Sequence, residues 1–282
     1  MAEERKASTH SQAAGHRRRE SGDHPGIGRD AYARRRTRAR IVGAASTIAV
    51  VVGIEFLIRV GVINAFVVPL PTQILASIPR IIAEENVGER FWQTMQEVLW
   101  AALLLTIVGM AAGALFYRYR TLRLACESWV AALAAAPIVL LYPLFLVIFG
   151  RSATTIVMIG FVAGLAPVIL KTIEGLSGTR HVLIQVGQSF KVTRRQQFWK
   201  ILLPSALPAI FVGLRLGLIF AMINIVGVEF LINFGGLGQL INELAERYDL
   251  PGTYGAILFV VLISMLFFEA TARIERRLRP VE

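Results

Sequence analysis

Apolar residues in this chain gather into six runs of roughly 20 residues, each long enough to cross a hydrocarbon layer of about 30 Å. They cover residues 41–63, 94–117, 124–150, 153–174, 209–233 and 254–272. The pattern predicts an all-α membrane protein, a bundle of six transmembrane helices. Two of the polar intervals are more than linkers. After the first run, NAFVVPLPTQILASIPRIIAEENVGERFWQTMQEV sets Pro69 and Pro71 in an extended turn and offers Thr72 as a cap. It then puts Ile74, Ile78, Ile81 and Ile82 on one face of a short helix lying on the outer surface. Between the fourth and fifth runs, residues 171–208 carry Lys171, Arg180, Lys191, Arg194, Arg195 and Lys200 against Glu174 alone. Here the apolar residues Leu183, Val186 and Phe190, then Phe198, Ile201 and Leu202, keep helical spacing until Pro204 and Pro208 open the next run. The stretch reads as a basic amphipathic helical hairpin at a membrane surface, offering an apolar stripe to something outside the bilayer.

Charge orients the runs. Arg118, Arg120 and Arg123, the 171–208 interval, and Arg273, Arg276, Arg277 and Arg279 all fall on one side, with the Arg-rich first 40 residues. The other side holds Glu84, Glu85 and Glu89 against Arg80 and Arg90, then Arg151, then Glu243, Glu246 and Asp249 against Arg247. Basic loops stay inside, so both termini are expected in the cytoplasm. Residues 1–40 are expected as a disordered basic tail, since they have almost nothing apolar to bury. The six-helix domain is expected over 41–279, with 280–282 as its end. The first apolar run begins too late for a secretory signal.

Composition agrees: 282 residues, 55% hydrophobic, mean hydropathy +0.59 and net charge +11 describe a membrane protein. The positive charge is where topology demands it, and no base-reading motif accompanies it, so nucleic acid is not an expected partner. Cys126 is the only cysteine and the four histidines have no metal-ligand spacing, so neither a disulfide framework nor a metal site is expected. A membrane-embedded enzyme would show a catalytic cluster within its spans, and none appears. An ion-gradient-driven secondary transporter would show internal repeats and paired ionisable residues at mid-membrane, and no convincing repeat is present.

Polar residues inside the runs carry a cost of at least ~2.5 kcal/mol each. Glu55 has Arg59 one turn later and predicts an intrahelical pair. Asn224 and Glu229 in the fifth run, together with Pro143, are candidates to line a translocation path; helix contacts at a subunit interface explain the two polar residues equally well. Pro137, Pro143 and Pro167 interrupt the third and fourth runs, either beside a pathway or as packing adjustments. Gly235, Gly236 and Gly238 permit a tight re-entry turn.

The order of runs and the sequence ILLP after the basic interval resemble the transmembrane permease subunit of ABC importers, whose cytoplasmic loop carries a Glu-Ala-Ala signature ending in Ile-x-Leu-Pro. The blocks VVPLPTQIL, YPLFLVIFG, VGLRLGL, VGVEFL and GGLGQLI are similar, in order and spacing, to the nitrate/sulfonate/taurine type, from about Ile54 to Arg279. The resemblance implies a type I importer bundle in the bacterial inner membrane, with the coupling loop at 175–208. It implies as partners two ABC ATPase subunits that bind ATP and magnesium, a second permease chain and an extracytoplasmic substrate-binding protein. The chain itself lacks a GxxxxGK[ST] phosphate cradle, so no cofactor is expected within it and no catalysis by it. The solute would be a small organic anion such as a sulfonate, nitrate, or a vitamin precursor.

This sequence departs from the signature. Counting back from Pro204, the Glu-Ala-Ala positions hold Gln185, Val186 and Gly187, and the glycine position holds Lys191; Ile201, Leu203 and Pro204 keep the pattern. Gln185 removes a charge-assisted bond to the ATPase. Lys191 must either accept a left-handed turn at roughly 1–2 kcal/mol or change the turn's shape. A heterodimer with a permease bearing a better loop and a homodimer with a variant loop both remain open. Leu183, Val186 and Phe190 would be the stripe that docks on the ATPase, unless they pack on the protein's own helix ends.

Overall fold

The computed structural model describes residues 27–64 and 66–278. They form helices and the turns between them, with no strand among the described residues. The expected tail falls outside the described residues over 1–26, as does the 280–282 end; from Ile27 the backbone is already helical. The chain divides into two units, Met1–Ile63 and Asn64–Glu282.

In the first unit, α1 (Ile27–Arg59) is apolar enough to span a membrane from Ile41 to Arg59. The Arg59 guanidinium donates to Glu55 Oε1 at 2.6 Å across one helical turn, the pair that the spacing predicts.

The second unit contains α2 (Pro71–Glu84), α3 (Val87–Arg118), α4 (Arg120–Ala135), α5 (Tyr142–Phe149), α6 (Ala153–Ser177), α7 (His181–Ser189), α8 (Arg194–Ile232), α9 (Gly236–Glu246) and α10 (Leu250–Leu278). Among the described residues, α1, α3, α6, α8 and α10 are each long and apolar enough to cross a membrane. The third run, expected as one helix over 124–150, is instead broken. Ala136 takes an extended conformation ahead of Pro137, as residues before proline do. The chain resumes through a 3-10 turn at Ile138–Leu141 into α5, bent by 95° from α4. The fifth run also differs. It begins at Arg194, not 209, and Pro204 and Pro208 lie inside a helical path. A π turn at Phe198–Leu202 precedes Pro204 and shifts the hydrogen-bond register where proline supplies no N–H.

Helices α6 and α8 form the axis of this unit. An added Cβ on Gly164 would lie 2.5 Å from the Gly217 carbonyl oxygen, and one on Gly217 would lie 2.8 Å from the Gly164 carbonyl oxygen. Small residues let the two backbones touch, which is how helices gain packing where lipid is as apolar as leucine. Around this contact Val98, Leu105, Ile156, Ile159, Val168, Ile225 and Val228 make the main core.

At one end of the bundle α2 packs on α10. Ser77 donates to the Pro251 carbonyl at 2.9 Å, and Ile81 is buried in the cluster with Leu237, Leu240 and Leu244 of α9. The helix is the one predicted, with two differences. Leu70, not Thr72, holds the cap position, and Ile82 points away from the packed face. Ion pairs tie this end together: Arg90 to Glu243 at 2.7 Å, Arg247 to Glu85 at 2.7 Å, and Arg80 to Asp249. The Asp249 carboxylate hydrogen-bonds and attracts the Arg80 guanidinium, holding it above the ordinary arginine value.

Candidate coupling hairpin and buried carboxyl site

At the other end, α7 and the first turns of α8 form the hairpin. The turn between them closes α7 on a left-handed residue. Lys191 has φ +51°; its N–H donates to the Gln188 carbonyl at 2.9 Å, and the Val192 N–H reaches back to the Gly187 carbonyl at 3.2 Å. These two bonds satisfy carbonyls that the helix end would otherwise leave bare, the usual reason a chain accepts a left-handed residue there. The turn therefore keeps its shape, and lysine occupies the position that suits glycine. Thr193 then starts α8 with a reciprocal cap: its N–H donates to Gln196 Oε1 at 2.9 Å and its hydroxyl accepts from the Gln196 N–H at 3.3 Å.

Gly187 fits the two arms together. A Cβ there would lie 2.5 Å from Ile201 Cδ1 and 3.3 Å from Val192 Cγ2. Ile184 and Leu203 pack beside the buried Leu176, Leu202, Ala206 and Ile210, which root the hairpin in the bundle. Leu183, Val186 and Phe190 remain outside this packing, Phe190 being 79% exposed. Gln185 is also exposed; its carbonyl accepts from the Ser189 hydroxyl at 3.1 Å. Pro204 is exposed just past the π turn. The structure thus brings together Gly187, Val192 and Ile201 within the hairpin, and leaves the stripe free of the protein's own helix ends.

The three path candidates do not converge. Glu229 is wholly buried: Oε1 accepts from the Thr94 hydroxyl at 2.7 Å and Oε2 from the Gly238 N–H at 2.7 Å. The Thr94 oxygen in turn accepts from the Leu237 N–H at 2.9 Å. Gly235 and Gly236, at φ +68° and +74°, turn the chain back so that α9 presents these amides to the carboxylate. The glycine turn is the tight re-entry that its composition predicts. Asn224 instead is half-buried, its Nδ2 donating to its own helix at the Phe220 carbonyl, 2.8 Å away. Pro143 is exposed in the first turn of α5. Pro167 stays inside α6, with its carbonyl 3.2 Å from where a Gly213 Cβ would lie, so it is part of the α6–α8 packing.

Sequence reasoning missed Glu97. It lies in α3, 3% exposed, with its carboxyl against that of Glu229 and its Oε2 without a hydrogen-bond partner. It also missed Arg215, which meets Glu275 of α10 at 3.4 Å. Both stand within the apolar runs, so a full count of charges in those runs would have found them. No group of three or more His, Cys, Asp or Glu residues that could hold a metal occurs among the described residues.

Long apolar helices packed on one another, with a hairpin rooted at one end, define a multi-pass membrane bundle. Residues 105–280 match the family described as binding-protein-dependent transport system inner membrane component, and the chain belongs to that family of ABC transporter permeases. Over 223 residues it is 25% identical to the taurine transport system permease protein TauC of Escherichia coli, covering 77% of this chain and 81% of that one. It is 26% identical to the putative aliphatic sulfonates transport permease protein SsuC of Bacillus subtilis, covering 77% and 79%. It is 27% identical to the formylaminopyrimidine transport permease protein ThiX of Halalkalibacterium halodurans, covering 65% and 74%. In fold it is similar to a chain of the MetNI methionine ABC transporter, with TM-score 0.61 at 19% identity, covering 69% of this chain and 96% of that one. It is accordingly a multi-pass inner-membrane permease of an ABC transporter, and its family implies ATPase subunits beside it.

Proposed function

We propose that this chain forms the translocation path for a small organic anion, that a separate extracytoplasmic protein delivers the solute, and that the α7–α8 hairpin receives the motion of separate ATPase subunits that bind ATP and magnesium. The observation that carries the coupling role is the outward stripe Leu183, Val186 and Phe190 on a helix whose other face is fastened to the bundle. A rigid-body stroke applied to such a helix is passed to α8 through Gly187 and Ile201, and along α8 to the α6 axis. Gln185 and Lys191 adjoin the stripe, and Leu203 anchors the second arm just ahead of the exposed Pro204. The positive-inside distribution supports a cytoplasmic hairpin and cytoplasmic termini, with the α2–α9 end for the binding protein. Relatives named for taurine and aliphatic sulfonates support an anionic solute. The second permease is either another copy of this chain or a different one, and a purified complex holding this chain alone at two copies decides for the first.

The test is a set of single cysteines at 183, 186 and 190 in a Cys126→Ser background, in complexes that hydrolyse ATP. Crosslinks to a nucleotide-hydrolysing subunit are expected. An active complex in which none of the three captures such a subunit refutes the docking role.

A further inference from the structure

Beside the hairpin, a cavity of about 820 Å³ opens between the last turns of α3 and the first turns of α8. Arg118, Arg194 and Arg195 line it, and no carboxylate does so among the described residues. None of the three arginines forms one of the ion pairs found in the described residues, and Arg118 lies over the Tyr119 ring at 5.4 Å. Below them the wall is apolar, formed by Ala111 and Leu115 of α3, and continues into the side of that span. Trp199 closes one edge, largely exposed and edge-on to Phe198 at 5.5 Å.

We propose that this cavity is a binding site for an anionic phospholipid. The apolar stretch of α3 ends at Arg118, which sets the three guanidinium groups at headgroup depth. Guanidinium forks match phosphate oxygens, and basic pockets between membrane helices attract anionic headgroups. An exposed indole is favoured at the membrane–water boundary, and the volume is that of a ligand site. A soluble anion would use the arginines and leave the apolar wall wet; a lipid satisfies both, with its phosphate on the arginines and an acyl chain along Ala111 and Leu115. The occupant would lock the first turns of α8 to α3 and so stiffen the base of the hairpin. The adjoining cavity at Arg120 and Arg123 also holds Glu127, which offsets its charge. That cavity serves as the control.

The experiment uses full-length protein, with whatever ATPase subunits co-purify, stripped of lipid in detergent. Native mass spectrometry then follows titration with phosphatidylglycerol or phosphatidylcholine of identical acyl chains. Retained phosphatidylglycerol adducts are expected, with phosphatidylcholine lost. Each arginine at a surface is worth roughly a fivefold change in affinity, so Arg194→Gln with Arg195→Gln should weaken phosphatidylglycerol about thirtyfold. Arg194→Lys with Arg195→Lys keeps the charge and loses the fork, so it should bind more tightly than the glutamine pair and less tightly than the parent, which guards against misfolding of the glutamine pair. Arg120→Gln with Arg123→Gln should change little. Equal retention of the two lipids, equal loss from both arginine pairs, displacement by inorganic phosphate at matched concentration, or displacement by the ATPase subunit would each overturn the proposal. None of these outcomes bears on the cysteine crosslinks, so the two readings fail independently.

Discussion

Replacing Lys191 by glycine should strengthen the hairpin, and the size of the effect follows from the backbone. At φ +51° the lysine Cβ crowds its own carbonyl, at roughly 1–2 kcal/mol relative to glycine in the same conformation. Glycine returns about 0.5–1 kcal/mol of this through its greater freedom in the opened chain. A net gain of about 0.5–1 kcal/mol remains, which corresponds to two- to fivefold slower local opening. Amide exchange of the segment 181–193, followed by mass spectrometry, measures that opening, because the hairpin unfolds locally before the bundle does. Lys191→Asn should fall between lysine and glycine, since asparagine tolerates the left-handed region, and Lys191→Val should open faster than the parent because a β-branched side chain is worst there. The most protected amides should be Lys191-adjacent donors such as Val192, which bonds to Gly187 only while the turn is left-handed. Protection by valine equal to that by glycine would show that residue 191 does not hold this conformation, and the coupling geometry would have to be redrawn.

Two further outcomes test the interior. Gly164→Leu places a side chain against the Gly217 backbone, which cannot move aside, so overpacking should cost up to about 3 kcal/mol; an unchanged thermal midpoint in detergent would mean that α6 and α8 are not in contact there. Glu229→Leu strands the Gly238 N–H, at about 1–3 kcal/mol, and leaves the Thr94 hydroxyl only the Arg90 carbonyl at 3.3 Å, so the midpoint should fall. Glu97→Gln should leave the midpoint within about 1 kcal/mol, as its amide can donate to Glu229 in place of the carboxyl, while Glu97→Leu, which removes the donor, should lower it by about 1–3 kcal/mol; an unchanged midpoint for the leucine variant would refute the carboxyl-against-carboxyl arrangement.

What was legible in the sequence is what depends on neighbours in the chain. Run length located the membrane helices, since crossing hydrocarbon takes a fixed number of residues whatever surrounds them. Spacing alone predicted the Glu55–Arg59 pair, the α2 face built on Ile74, Ile78 and Ile81, and an apolar stripe at Leu183, Val186 and Phe190, whose exposure the structure decided. The resemblance to the permease signature, counted back from Pro204, pointed to Lys191 as the residue that would have to accept a left-handed turn, and the backbone there is left-handed. Tertiary structure decided the rest. The break between α4 and α5 was hidden because hydropathy adds up apolar residues without regard to direction, and Pro137 only permits a bend. For Glu229 the sequence left path lining and helix contact equally open, and its partners Thr94, Glu97 and the α9 amides are brought to it only by the fold, none being its neighbour in sequence except through the glycine turn. The α6–α8 contact likewise depends on Gly164 and Gly217 facing one another, a relation between two helices that neither helix's own periodicity contains.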